Sequence, residues 1–189
     1  MPLVMGPNTS GVAATTTALA SETRYRTGSG CATIVHYPET ASSDFKKGEL
    51  VILSSGGVTQ LATAPAALAV SAVLNTSLVP VVGMALADAS GTTGALCPIL
   101  VANADTEFCL RVYAAAATDA QLQDVAIGDA AELQRYNSGG TIQTVVSAAP
   151  DSTLTDNQVI ITEKPSVEAA TDEYAWVWVK VLYSSRAVA

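Results

Sequence analysis

The sequence is poor in charge, in aromatic rings and in histidine. Charged residues make up 14% and aromatic residues 5% of the 189 residues, against about 25% charged residues in an average soluble domain. With His36 as the single histidine, any Ser-His-Asp hydrolase would have to use it, and no nucleophile-elbow sequence is found. The apolar strand context of His36 favours a hydrogen-bonded structural histidine.

Cysteine and glycine do not form recognisable metal or phosphate sites either. Cys31, Cys97 and Cys109 make no CxxC pair, and with one histidine a zinc site would need an unusual ligand set. A hairpin turn near Asn103 would let Cys97 and Cys109 face each other, although buried free thiols are the favoured interpretation. Residues 28–33 lack the third glycine of the dinucleotide fingerprint, and no Gly-Lys-Ser/Thr triplet exists.

The carboxylates also fail to define a catalytic pair. They cluster at Asp124, Asp129 and Glu132 and again at Asp151 and Asp156, without the spacing of a calcium loop. Both clusters lie in predicted turns, where Asp is favoured because it bonds to the local backbone. We therefore predict no catalytic residue, no metal and no cofactor, and we do not expect an enzyme.

Acidic residues outnumber basic ones by seventeen to nine, which gives a net charge of −8. This sign argues against nucleic acid as a partner, because phosphate attracts basic surfaces. Thirteen of the acidic residues lie between Asp88 and Glu173, among only three basic ones, which predicts a solvated acidic face with the flanks turned toward other groups. Residues 50–87 carry no charge but are broken by Pro65 and Pro80, so we predict no membrane span.

Apolar and β-branched runs follow one another along most of the chain, with turn residues between them at roughly the 8–12-residue spacing of a sandwich or barrel. The runs are residues 31–37, 49–53, 58–62, 79–87, 97–102, 107–114, 131–136, 141–147, 158–163 and 174–183. Only 63–74 and 114–126 leave room for a short helix. The sequence predicts an all-β fold, a β-sandwich or barrel-like domain over residues 31–189 with an extended N-terminal arm over residues 1–30.

Two Gly-Gly sequences predict tight hairpins, at residues 54–57 and 137–140, because such turns need residues that tolerate positive φ. In the strand before the first turn, Leu50 and Ile52 share one face and Val51 shares the other with Leu53. Both faces are apolar, which predicts burial beyond that of a half-exposed sheet. The preceding Lys46-Lys47 pair is interpreted as a solvated lead-in, with pairing to an acidic neighbour chain as the alternative.

Two segments are candidates for partner binding. Residues 1–30 are rich in Gly, Thr and Ala without a steady period, which fits either a flexible terminus or an arm that becomes ordered on a partner. Arg24, Tyr25 and Arg26 would anchor such an arm. In the last strand, Trp176 and Trp178 share the face opposite a valine-rich core face. Core packing is the preferred interpretation of this tryptophan face, and an aromatic contact patch is the alternative.

Three stretches, "FKKGELVIL", "GGVTQLAT" and "VVGMALADASG", resemble the decoration (cement) proteins of tailed-phage heads. The later "IGDAAELQRYNSGGTI" is similar to a hairpin of that family, so the resemblance spans residues 44–146. The residues that match are Gly48, Leu50, Val51, Gly57, Val58, Gly83 and Ala85.

The resemblance implies a structural protein that binds the outside of a phage head and braces neighbouring capsomers. Its partners would be the major capsid protein and further copies of itself, a trimer being favoured over a dimer. The protein would be made in the bacterial cytoplasm and located on the virion surface, with the arm or the tryptophan face contacting the lattice. The alternatives are a β-sandwich adhesin or receptor-binding module on a virion, and after it a hydrolase using His36 or a carboxylate pair.

Overall fold

The computed structural model describes residues 24–28, 32–61, 81–114, 121–138, 141–148, 158–166, 169–172 and 174–182. These residues form β-strands and one short 3-10 helix, Leu122–Asp124, which confirms the all-β prediction. The strands are β1 (Arg24–Thr27), β2 (Ile34–Pro38), β3 (Leu50–Ser54), β4 (Gly57–Gln60), β5 (Val81–Ala85), β6 (Leu96–Val101), β7 (Thr106–Tyr113), β8 (Ala130–Ala131), β9 (Leu133–Ser138), β10 (Thr141–Ser147), β11 (Val159–Glu163) and β12 (Trp176–Val181).

The larger sheet has seven strands and is organised around β7. Its order is β8-β11-β12-β7-β10-β9, with β1 paired to β7 in addition. β12 lies along one edge of β7. The other edge is shared, because β1 pairs with residues 106–109 and β10 with residues 111–113. The β7–β10 pair is parallel, and the other pairs are antiparallel.

The smaller sheet has five strands in the order β2-β6-β5-β3-β4 and is nearly closed into a barrel. A bridge between Glu39 and Val58 brings the two end strands together, and the Thr40 amide donates to the Val58 carbonyl oxygen at 3.1 Å. Closure depends on Gly57, since a Cβ at this position would lie 2.7 Å from the Pro38 carbonyl oxygen. The structure therefore combines the two predicted alternatives, a sandwich and a barrel.

β3, in the barrel wall, buries residues on both of its faces. Leu50 and Ile52 point into a core between the two sheets, where they meet side chains such as Phe108 and Leu110. Val51 points into a second core inside the barrel, built around Phe45, Val58 and Ile99. The predicted two-sided burial of this strand is confirmed, and each fully buried side chain of this kind contributes about 1.5–3 kcal/mol.

An ion pair between Glu49 and Arg135 crosses from one sheet to the other, with both side chains at most 3% exposed. The Arg135 Nε and Nη2 atoms donate to the two carboxylate oxygens of Glu49 at 3.0 and 3.3 Å. The Lys46 amide donates to the same carboxylate at 2.9 Å, and Asp44 Oδ1 accepts from Arg135 at 3.0 Å. Burial raises the pKa of the Glu49 carboxyl, and the contacts with Arg135 and the Lys46 amide oppose that rise.

The turns agree with the sequence predictions. In the β3–β4 hairpin both central residues have positive φ, 49° at Ser55 and 80° at Gly56, as a tight primed turn requires. β9 and β10 form the second predicted hairpin, with Ser138 paired to Thr141. All ten predicted strands are present, although the run at 131–136 is divided into β8 and β9. β1, within the predicted arm, was not expected to be a strand of this sheet.

The predicted turn at Asn103 is confirmed by a hydrogen bond from the Thr106 amide to the Asn103 carbonyl oxygen at 3.1 Å. The chain crosses there from the barrel into the larger sheet, so Cys97 and Cys109 do not face each other. Both are buried free thiols, which confirms the favoured interpretation. The structural role predicted for His36 is wrong, because the side chain is exposed on β2 and makes no hydrogen bond to a described residue.

Several predictions lie outside the described residues. These are Cys31, the possible helix at 63–74, the carboxylates Asp151 and Asp156, and residues 1–23 of the arm. The described part of the other helix candidate, 121–126, contains the 3-10 helix. The turn role of the remaining carboxylates is confirmed for Asp124 and Asp129, which accept hydrogen bonds from the amides of Gln121 and Ala126.

Candidate partner-binding surface

The outer face of the seven-stranded sheet carries both tryptophans of the chain, each in contact with an arginine. Alternate residues of β7 and β12, such as Leu110 and Val177, point into the core. Their neighbours therefore point outward, and Trp176 lies opposite Arg111 while Trp178 lies opposite Cys109. We call this set, with Arg24 and Arg26 of β1 beside it, the outer face.

Arg26 of β1 covers one of the two indoles. Its guanidinium carbon lies 4.3 Å from the centroid of the Trp178 ring, within the range of a cation–π contact. The same guanidinium pairs with Glu107 and with Glu163, the latter at 2.6 Å, and Lys180 Nζ approaches Glu107 at 3.5 Å. Burial alone would lower the pKa of Arg26, but the hydrogen bonds and charges of the two carboxylates outweigh it and raise the pKa.

Arg111 of β7 covers the other indole in the same way. Its guanidinium carbon lies 4.3 Å from the Trp176 ring centroid, and Nη1 donates to the Tyr174 carbonyl oxygen at 2.8 Å. Tyr113 continues the aromatic row, stacked on Tyr174 at 5.9 Å and edge-to-face with Tyr136 at 5.0 Å. The outer face thus presents two indoles that are each covered by a guanidinium group, whereas Tyr174 belongs to the hydrophobic core.

Four of the five candidate residues of the two terminal segments, Arg24, Arg26, Trp176 and Trp178, are brought together on this face. Tyr25 lies opposite Phe108, whose side chain is buried in the core, so Tyr25 points to the other face of the sheet. Arg24, Tyr25 and Arg26 form β1, and Arg24 lies opposite Cys109, which lies opposite Trp178. β7 alone separates the predicted anchor from the tryptophan strand. Arg26 is exposed and Tyr25 is 46% exposed, so this edge of the sheet is accessible.

Core packing of the tryptophans, the preferred sequence interpretation, is wrong. Trp176 and Trp178 are half-buried on the outer face and belong to neither hydrophobic core. The opposite side of the strand does form the core, as predicted, with Val177 and Val179 fully buried. The indoles avoid full exposure because arginines from β1 and β7 cover them, and sequence periodicity contains no signal for such cross-strand partners.

Charges from the flanks of the chain meet the acidic middle stretch. Arg26 and Lys180 contact Glu107, and Lys46 Nζ lies 3.6 Å from Asp88 Oδ2 in an exposed position. The prediction that the flanks turn away from the acidic stretch is therefore wrong for these residues. Lys47 donates its backbone amide proton to Asp88, which lowers the pKa of that carboxyl. Both lysine side chains are exposed, which agrees with the solvated lead-in that the sequence predicts.

Replacing Arg26 with alanine is expected to loosen β1. The substitution removes one cation–π contact and two exposed ion pairs, each worth about 0.5–1 kcal/mol or less. Amide hydrogen exchange at residues 24–27 should become about tenfold faster, and the core strands should keep their protection. Lys180→Ala, which removes a cation beside Glu107 and leaves the Trp178 contact intact, is the control. Equal exchange in Arg26→Ala and wild type would show that the ion pairs do not hold β1.

We also searched the described residues for a metal site and for a membrane-spanning helix. They contain no cluster of three metal-ligating side chains and no helix long and apolar enough to span a bilayer. Comparison with protein-family models, with curated proteins and with solved structures finds no match to this chain.

Proposed function

We propose that the chain is a structural decoration protein that binds the outside of a tailed-phage head and braces neighbouring capsomers. It would act as a homo-oligomer, with a trimer favoured. The observation that supports this most is the convergence of Arg24, Arg26, Trp176 and Trp178 on one outer face. Two segments from opposite ends of the chain, each a candidate for the lattice contact, form one surface.

The chemistry of the outer face suits a protein partner. Tyr, Trp and Arg are the residues most enriched at the energetic centres of protein–protein interfaces, and this face presents all three. A specific contact needs to bury only about 1,600 Å² in total. A symmetric oligomer repeats that contact, and simultaneous attachment raises the overall affinity without new contacts.

The residues that support the family resemblance have a different role from the candidate contact residues. Gly48, Gly57 and Gly83 lie in or beside the strands of the barrel, and Leu50, Val51, Val58 and Ala85 are fully buried there. They shape the scaffold and are not available to a partner. In this proposal the barrel supports the seven-stranded sheet, and the sheet meets the capsid.

The alternative is an adhesin or receptor-binding module on a virion. Sugar-binding modules stack a sugar ring on an open aromatic face, but here guanidinium groups already cover one face of both Trp176 and Trp178. This geometry favours a protein partner over a glycan. The two functions differ in a simple observable, because an adhesin binds its target in the absence of phage heads.

Heads of the encoding phage, prepared without the chain, provide the test. Full-length chain should decorate them, whereas a chain lacking residues 2–27 should bind at least tenfold more weakly while its core strands stay folded by circular dichroism. An Arg24→Ala/Trp176→Ala variant, which changes one residue of the outer face from each terminal segment, should be weakened as well. Ile127→Ala, at a residue that is 62% exposed away from the outer face, is the matched control. If the truncated chain and the double variant both decorate heads as wild type does, the proposal fails.

A further inference from the structure

A second surface of the molecule is unusually apolar. Six large hydrophobic side chains of the described residues are exposed, and three of them belong to β2 or its neighbour β6. Ile34 and Val35 of β2 are 53% and 38% exposed, and Leu96 of β6 is 66% exposed. His36 beside them is exposed as well, so the first half of β2 is open to solvent on both of its faces.

The backbone of β2 is also open along one edge. Among the described residues, the barrel closes onto this strand only at Glu39 and Thr40, because β4 begins at Gly57 and does not extend beside the first half of β2. On the side of β6, Thr33 accepts from Val101 at 2.8 Å and Glu39 donates to Ala95 at 2.8 Å. Bonding alternates along an antiparallel strand, so the amides and carbonyls of Ile34 and His36 point away from β6 toward the open edge.

Charge is absent from this region. Residues 32–38 and 91–104 contain no Asp, Glu, Lys or Arg, although the chain as a whole has a net charge of −8. Natural sheets usually protect an exposed edge with a charged side chain, most often Lys, and β2 has none. Two copies of this acidic chain repel each other least where neither presents a charge, and the same place offers apolar surface and free backbone groups.

We propose that β2 is a self-association surface, on which β2 of a second copy pairs antiparallel about a two-fold axis. A register centred on Val35, the middle of the exposed residues 34–36, puts Ile34 of each copy opposite His36 of the other and Val35 opposite itself. The outward amides and carbonyls then form four reciprocal hydrogen bonds. Ile34 and Val35 lose solvent exposure, and the barrels of the two copies share a continuous sheet.

This contact is independent of the proposed function. It uses the barrel, whereas the proposed capsid contact uses the seven-stranded sheet. A two-fold contact produces dimers of the isolated chain, or pairs of trimers if the chain also forms a three-fold ring.

Sedimentation equilibrium of the purified full chain over a range of concentrations tests the proposal. Wild type should form a species with twice the mass of its smallest form, and the fraction of that species should rise with concentration. Ile34→Lys, which places two lysines beside the axis, should weaken that association at least tenfold, and Ile127→Lys, the same change at another exposed isoleucine, should associate as wild type. A wild type without the doubled species, or an Ile34→Lys variant that associates as wild type, would overturn the proposal.

A cross-link tests the geometry even if Ile34→Lys disturbs the barrel. In the proposed register the two Val35 Cα atoms form a non-hydrogen-bonded pair about 4.5 Å apart, which is within disulfide range. Val35→Cys should give a covalent dimer under mild oxidation. Wild type, with its own three cysteines, and Ile127→Cys should not. Absence of a Val35→Cys dimer, or equal amounts in Ile127→Cys, would contradict the β2 pairing.

Discussion

Glu49→Ala is expected to lower the free energy of unfolding by about 3–5 kcal/mol, which is the usual cost of leaving one partner of a buried ion pair alone. The substitution removes the carboxylate that pairs with the Arg135 guanidinium, and the Arg135 side chain is only 3% exposed between the two sheets. The substitution also removes the acceptor of the Lys46 amide. Asp44 keeps two contacts with Arg135, one through Oδ1 at 3.0 Å and one through its carbonyl oxygen at 3.1 Å. Its carboxylate is 58% exposed, so it compensates weakly for the loss of Glu49. Since single domains are stable by only about 5–15 kcal/mol, urea denaturation should show a large fall in midpoint.

Replacing both partners is expected to be far less harmful than replacing one. Both side chains are at most 3% exposed, so removing the two charges from water is a large cost of keeping this pair; burial also raises the pKa of Glu49 in spite of Arg135. Apolar residues of similar volume avoid that cost, and such replacements are often neutral. The Glu49→Leu/Arg135→Met variant should therefore recover most of the stability that Glu49→Ala loses.

Asp88→Ala is the matched control for Glu49→Ala. Asp88 also accepts a backbone amide proton in this region and also pairs with a cation, but its side chain is 60% exposed. Exposed pairs contribute about 0–1 kcal/mol, so this variant should stay close to wild type. If Asp88→Ala and Glu49→Ala lowered the free energy of unfolding by similar amounts, burial would not be the reason that the Glu49–Arg135 pair stabilises the protein.

Gly83→Ala is expected to destabilise the barrel by more than about 3 kcal/mol, beyond the usual 1–3 kcal/mol of overpacking. A Cβ at this position would lie 1.9 Å from the Leu100 carbonyl oxygen and 2.8 Å from its carbon. Both atoms belong to the backbone of β6, which pairs with β5 at this point. No side-chain rotation relieves such a clash, so the two strands must separate, and calorimetry should show a fall in Tm of roughly 6 °C or more.

Gly28→Ala separates this effect from the general cost of replacing glycine. The nearest atoms to a Cβ at Gly28 are those of Asp105 at 3.9 Å, an ordinary van der Waals distance, and the change should have little effect on Tm. A Gly83→Ala protein as stable as Gly28→Ala would mean that β5 and β6 do not approach each other as closely as described.

The strands and turns could be read from the sequence because their signals are local. Apolar and β-branched runs separated by turn residues located all ten predicted strands, and the Gly-Gly turns identified two hairpins with the correct partners. The division into a barrel and a seven-stranded sheet could not be read in this way. It depends on which strands pair across long separations, such as β7 with the parallel strand β10, and on close backbone approaches at Gly57 and Gly83.

The candidate surface was predictable in its parts but not in its assembly. Arg24–Arg26 and the two tryptophans were each identified from a short stretch of sequence. Their meeting across β7 follows from strand pairing at separations of 65 to 85 residues. Glu107, Glu163 and Arg111 were missed as members of this surface for the same reason, because a charged residue acquires this role only through its cross-strand partner.

The number of copies of the chain on purified heads tests the central claim most directly. Quantitative mass spectrometry of heads from the encoding phage would give the molar ratio of this chain to the major shell protein. A decoration protein that braces the lattice should be present at a ratio near one per shell subunit. A ratio of a few copies per particle, or no copies on heads at all, would contradict the proposed function.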